Sequence, residues 1–106
     1  MQLGGWVAGM REMALGIASA LRSGVAPNPL PVEMWGYAPE DGAQLLKFVV
    51  DECVDAGIAI REIRADPVIV HELTGSKNGS GVYRREVPVS ADPKWQGRFE
   101  TYSSEH

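Results

Sequence analysis

The sequence is poor in the residues that build disulfides and metal centres. It has one cysteine, Cys53, and only two histidines among 106 residues. A single thiol cannot form an intrachain disulfide, and nothing else in the composition favours an oxidising compartment. Long apolar runs are also lacking, because Arg11 and Glu12 interrupt the apolar N-terminal stretch before it reaches the roughly 20 residues that a membrane span needs. We therefore expect a cytoplasmic protein that does not contact membranes.

Basic residues are outnumbered, since lysine and arginine total 10 against 14 aspartates and glutamates, a net charge of −4. General nucleic-acid binders and anionic-membrane binders are usually basic, so the composition disfavours both classes. The charge is uneven, however. Residues 39–55 carry five acidic side chains against one lysine, and residues 77–98 carry five basic side chains against two acidic ones. This pattern predicts an acidic helix face and a basic hairpin.

The overall composition is that of an ordinary globular domain, with 44% hydrophobic and 23% charged residues. The length of 106 residues predicts one domain. Within it we expect an N-terminal helix over residues 1–23, a proline-rich connector over 24–31, an α+β core over 32–102 and a loose tail over 103–106.

The clearest local pattern is a helix followed by a strand. Pro39 opens the helix and Gly57 ends it, and one side of the helix is apolar at residues Leu45, Leu46, Val49, Val50 and Cys53. Residues 32–37 alternate like a strand before the helix, and a β-branched run starts at Ile58 after it. A β-α-β unit of this length predicts two parallel strands with a right-handed crossover.

The rest of the core reads as strands. Pro67 interrupts the second run and predicts a bulge, a turn or an edge, after which residues 68–73 resume it as a strand. Asn78-Gly79 is a strong turn signal, residues 82–89 return as the hairpin partner, and residues 95–102 form a last strand. The predicted fold is α+β: a β-α-β unit followed by an antiparallel meander, in a mixed sheet of four or five strands, with the N-terminal helix packed on the sheet or on a partner subunit.

The N-terminal helix, over residues 6–22, carries an apolar stripe at three- and four-residue steps and a strip of small residues: Gly5, Gly9, Gly16 and Ala20. The strip would let another backbone approach closely. It serves either for packing within the domain or for a dimer contact. Three prolines at alternating positions, Pro27, Pro29 and Pro31, keep the connector extended, which suggests exchange of the helix between protomers.

Candidate catalytic groups do not converge. His71 and Glu72 are neighbours in a predicted strand, so their side chains should leave opposite faces, and no second histidine lies nearby. Cys53 lies on the apolar side of its helix, which predicts a buried, inert thiol. The glycine-rich loop over residues 75–81 leads into a strand, so it lacks the helix N-terminus of a phosphate-binding loop. We predict no catalytic residues, no cofactor and no metal ion.

The basic hairpin is the one surface feature that suggests a ligand. We take as candidate residues for binding nucleic acid or a protein partner its cationic side chains and one aromatic: Lys77, Arg84, Arg85, Lys94, Trp95 and Arg98. Cross-strand salt bridges explain the same residues without a ligand, and so does a basic hairpin that meets the acidic helix of another subunit.

Three functions remain open at this point. The leading hypothesis is a non-enzymatic, self-associating protein-interaction module, most simply a homodimer. The first alternative is a nucleic-acid-binding accessory protein that uses the hairpin over residues 77–98. The second is a metal-dependent hydrolase built on Asp66, His71 and Glu72.

Overall fold

A computed structural model describes residues 3–24, 27–33, 38–76, 79–84 and 87–103. These ranges contain three helices and five strands. In chain order they are α1 (Leu3–Ser23), β1 (Leu30–Glu33), α2 (Pro39–Asp55), β2 (Ile60–Ala65), α3 (Pro67–Thr74), β3 (Ser80–Tyr83), β4 (Val87–Ala91) and β5 (Arg98–Ser103). None of the described helices has the length and apolar character that a membrane span requires.

The strands form one mixed sheet in the order β1-β5-β2-β4-β3, which confirms the predicted α+β class. β1 and β2 both pair antiparallel with β5, so they run parallel to each other, as the β-α-β pattern predicts. β4 pairs parallel with β2 and antiparallel with β3. The antiparallel meander is therefore the β3–β4 hairpin alone, because β5 inserts between β1 and β2.

The second helix forms where the sequence predicts it. Pro39 occupies its first turn, and the backbone N–H of Ala38 donates to the Asp41 carboxylate at 3.3 Å, which satisfies one free donor at the helix start. Gly57 follows the last turn with φ at +73°, a conformation that glycine adopts without strain. The apolar side predicted from the spacing is fully buried: Leu45, Leu46, Val49, Val50 and Cys53.

The strand predicted over residues 68–73 is wrong, because this segment is α3. Asp66 caps the helix by accepting a 2.7 Å hydrogen bond from the N–H of Val68, and Pro67 occupies the first helical position. Gly75, at φ +75°, ends the helix in the left-handed conformation. These signals at both ends outweigh the β-branched run, and Pro67 therefore marks a helix start rather than a bulge or a sheet edge.

The hairpin predicted between residues 68–73 and 82–89 is also wrong, because the second of these segments is divided after Tyr83 into β3 and β4, which pair with each other. The remaining boundaries differ from the prediction by a few residues. β1 begins at Leu30, inside the predicted connector, and ends at Glu33. Residues 34–37 of the predicted first strand lie outside the described residues, and so do Asn78 of the predicted turn and residues 104–106 of the predicted tail. The final strand begins at Arg98 rather than at Trp95.

The core lies between one face of the sheet and the two helices α2 and α3. The sheet contributes its inward-facing apolar side chains to this core: Ile63, Ala65, Val87, Val89 and Phe99. α1 makes its main contacts with α2 rather than with the sheet, and over residues 9–23, where its burial is described, three of its side chains are buried: Met10, Ala14 and Ala18. In the described part of the chain the opposite face of the sheet, here called the outer face, carries no helix.

Candidate functional site

The structure separates the six residues proposed as a binding patch. Lys77 and Arg85 lie outside the described residues. Lys94, Trp95 and Arg98 come together in the loop before β5 and at the start of that strand. Arg84 follows β3, which lies three strands away from β5 in the sheet, and it lies at the opposite end of β4. At the usual strand rise and spacing the two groups are about 20 Å apart. The basic hairpin is thus two sites rather than one continuous patch.

Arg84 pairs with the acidic helix of its own chain. Its Nη1 lies 2.9 Å from Asp51 Oδ1, and the Tyr83 hydroxyl donates to the same oxygen at 3.4 Å. Burial, followed by the charge of Asp51, raises the pKa of the Tyr83 hydroxyl. Arg84 adopts a positive φ of 56°, which is uncommon for a residue with a Cβ. Arg84 and Asp51 therefore pair within one chain, so this part of the charge asymmetry is satisfied without a second subunit.

Arg98 lies between two carboxylates on the outer face. Its Nη1 is 2.7 Å from Glu33 Oε1, and its Nη2 is 2.8 Å from Glu100 Oε2. The guanidinium carbon lies 5.0 Å from the centre of the Trp95 ring, in the range of a cation–π contact. The hydrogen bond with Glu100, followed by that with Glu33, raises the pKa of the Arg98 guanidinium. These partners hold Arg98 flat against the sheet.

The network continues across the outer face to the next strand. The Tyr102 hydroxyl donates to Glu100 Oε1 at 3.0 Å, and its hydrogen bond with Arg64 raises the pKa of that guanidinium. Arg64 Nη2 lies 3.9 Å from Asp92 Oδ2, and Arg61 stacks over the Tyr102 ring at 5.4 Å. Among the described residues on and beside this face, four basic side chains accompany four acidic ones: Arg61, Arg64, Lys94 and Arg98 with Glu33, Glu62, Asp92 and Glu100. The aromatic and cationic groups needed to bind nucleic acid are present, but their charge is balanced.

The three residues of the hydrolase hypothesis do not form one cluster. Asp66 is buried, and its Oδ2 accepts a 2.6 Å hydrogen bond from the N–H of Gly97, which fastens the loop before β5 to the start of α3. His71 Nδ1 lies 3.3 Å from the carbonyl oxygen of Ser76 at the other end of α3, and Glu72 is exposed. Among the residues that the structure describes, no group of three or more histidine, cysteine or acidic side chains could hold a metal ion.

Cys53 is fully buried on α2. Burial, followed by the charge of Glu52, raises the pKa of the thiol to about 11. The thiolate is the nucleophilic form of cysteine, so a pKa in this range leaves almost none of it near neutral pH.

An apolar groove not anticipated from the sequence lies where α2 ends and β2 begins. Its volume is about 300 Å³, and it is lined by Val54, Gly57, Ile58, Ala59, Ile60 and Val87. The lining residues include no charged side chain, so the groove could contact an apolar group but has no side chain for acid–base chemistry. Its residues come from both sides of the α2–β2 turn and from β4, a long-range combination that no local pattern indicates.

The outer side of α1 carries an uncovered apolar strip, here called the α1 seam: Gly9, Met13, Gly16 and Ala20. A Cβ added at Gly9 or Gly16 would meet no neighbouring atom within 4 Å. The Met13 side chain is 43% exposed. Two of the small residues predicted from the sequence to support close packing, Gly9 and Gly16, therefore face away from the described part of the chain, whereas Ala14 and Ala18 are buried on the side that packs against α2. The surroundings of Gly5 lie outside what the structure describes.

No family model matches the chain, and no curated protein or solved structure is detectably similar to it.

Proposed function

We propose that this protein is a non-enzymatic interaction module that self-associates as a homodimer through the α1 seam. The observation that supports this function is an apolar helix surface that the described chain leaves uncovered. A reducing, cytoplasmic setting belongs to the same proposal, because the one thiol of the chain is buried and unpaired.

The seam has the spacing of a helix-pairing surface. Its residues recur at steps of four, three and four, the repeat that keeps one side of a helix against a partner helix. Glycine and alanine at three of the four positions allow two helix axes to approach to about 8 Å. Covering the exposed part of Met13 contributes roughly 1 kcal/mol per protomer, and contacts along the rest of the seam add to it.

A second copy of the chain suits this surface better than a charged partner does. The four residues of the seam carry no ionisable side chain, so the contact between two copies related by a twofold axis would itself be apolar, with the exposed Glu12 at its edge. Two arginines of the predicted basic hairpin are already paired within the chain, Arg84 with Asp51 and Arg98 with Glu33 and Glu100.

Met13→Glu tests the proposal, with Leu15→Glu as its matched control. Both residues are exposed apolar side chains on α1, at 43% and 52%, but Leu15 lies on the opposite flank of the helix from the seam. Size-exclusion chromatography with light scattering at tens of micromolar should show a dimer for the unaltered chain and for Leu15→Glu. Met13→Glu should be a monomer, because it brings two carboxylates together across the twofold axis.

Two outcomes would contradict the proposal. One is a strictly monomeric unaltered chain at tens of micromolar. The other is equal loss of the dimer in both variants, which would place the interface elsewhere on α1 or show a general effect of added charge.

A further inference from the structure

In the described part of the molecule, α1 is attached mainly through α2. Among the described elements, α2 is the only one with which it makes extensive contact. Over residues 9–23, where the burial of its side chains is described, Met10, Ala14 and Ala18 are buried, and Ile17 and Leu21 are partly buried against the same core. At the edge of the interface the guanidinium of Arg11 stacks over the Phe48 ring of α2 at 4.4 Å. Undocking α1 therefore exposes one helix face and leaves the sheet, α3 and their shared core in contact.

The segment after α1 can change direction at a defined point. Ser23 ends the helix, and Gly24 has a φ of +76°, in the region where glycine is free of strain. The chain is held again at Asn28, whose Oδ1 accepts a 3.2 Å hydrogen bond from the N–H of Ser103. Pro27 and Pro29 fix their own φ angles and disfavour helix in the residues before them. The connector is therefore predisposed to remain an extended arm rather than to wind into a helix.

We infer that α1 is exchanged between two copies of the chain, with the α1 of each protomer docked on the α2 of the other. The docking surface is the one that α1 occupies in its own chain, so the exchanged contact is continuous with an interface already present and complementary in shape. Exchange goes beyond the proposed function, because the α1 seam can pair whether α1 docks on its own α2 or on that of a partner.

Exchange requires α1 to undock first, and this gives it a kinetic signature. Docking within one chain is favoured at low concentration, since the connector holds α1 near its own α2 at a high effective concentration. Exchanged dimers should accumulate when the protein is concentrated under conditions that loosen α1. After dilution they should separate slowly, whereas a dimer held by seam contacts alone should separate rapidly.

Crosslinking at the α1–α2 contact distinguishes the two arrangements. The test chain carries Arg11→Cys and Phe48→Cys, with Met13→Glu added to block the α1 seam, and it is treated with a short bis-maleimide after incubation at high concentration in mild urea. The test chain and its controls also carry Cys53→Ala, because the burial of this native thiol holds for the docked state and the urea treatment loosens α1 from α2. The expected product is a covalent dimer whose fraction rises with protein concentration, beside a monomer crosslinked within its own chain. Chains with either cysteine alone should give no dimer.

Crosslinking confined to single chains at every concentration would overturn the inference, and it would leave the proposed α1 seam untouched. A second measurement uses Met13→Glu without added cysteines, so that it does not depend on altering the α1–α2 contact. Concentrated in mild urea and then diluted, this variant should show a dimer by light scattering that decays over hours. Failure to form such a dimer, or its immediate loss on dilution, would also overturn exchange.

Discussion

Thr101 lies within β5 with its side chain fully buried, and its hydroxyl has no hydrogen-bond partner among the described residues. A buried hydroxyl that is left unpaired costs about 1–3 kcal/mol relative to its hydrated state in the unfolded chain. Thr101→Val replaces the hydroxyl with a methyl group of similar size and keeps the β-branched shape that suits a strand. We therefore expect the variant to be more stable by roughly 1–2 kcal/mol.

Thr74 provides the matched control for this prediction. Its hydroxyl donates to the carbonyl oxygen of Val70 at 2.8 Å and accepts from the N–H of Ser76 at 3.1 Å. Thr74→Val should therefore lower stability by about 1 kcal/mol, the usual net value of a hydrogen bond. The same chemical change is thus expected to have opposite signs at the two positions.

Urea denaturation followed by circular dichroism measures both variants. The midpoint should rise for Thr101→Val and fall for Thr74→Val at an unchanged slope. In thermal unfolding each kcal/mol corresponds to a shift of about 4–8 °C for a domain near this size. A loss of 1 kcal/mol or more in Thr101→Val would refute the reasoning, because it would mean that the hydroxyl has a stabilising partner.

Two further predictions concern packing and titration. A Cβ at Gly81 would lie 2.8 Å from Thr74 Cβ, so Gly81→Ala should destabilise the protein by about 1–3 kcal/mol in urea denaturation. An unchanged urea midpoint would contradict this packing. Because burial raises the pKa of Cys53 from 9.0 to about 11, the neutral thiol contributes stability that is fully present below pH 9 and is lost as the pH rises to 11. The stability difference between the unaltered chain and Cys53→Ala should therefore shrink by about 2 kcal/mol over that range, and a constant difference would count against a buried thiol.

The sequence was most informative where both ends of an element carry their own signals. α2 has proline and acidic residues in its first turn, a glycine after its last, and apolar residues spaced for a helix between them. α3 carries comparable signals in Asp66, Pro67 and Gly75, but its interior begins with the β-branched run Val68, Ile69 and Val70. Counting the run as strand overlooked the buried positions Ile69, Val70 and Leu73, whose spacing is that of a helix face.

Ion pairs between residues far apart in the chain could not be predicted from the sequence. Arg98 meets Glu33 across 65 positions, and Arg84 meets Asp51 across 33. The charge asymmetry indicated that basic and acidic groups would attract each other, but any of several carboxylates could have been the partner of each arginine. The choice depends on the insertion of β5 between β1 and β2, which is decided by packing of the whole sheet rather than by the residues of β5 alone.

The pairing of Arg98 also bears on how the two binding hypotheses compare. For Arg98 to hold a phosphate it would have to leave Glu33 and Glu100, 2.7 and 2.8 Å away, and both carboxylates would then lie beside the incoming anion. Two like charges about 4 Å apart repel by roughly 1 kcal/mol even in water, and by more where the site is partly buried, as Glu100 is. The proposed pairing through the α1 seam requires no existing ion pair to break, because none of the four seam residues is charged. Binding of an oligonucleotide that weakens with salt and on Arg98→Ala would reverse this comparison.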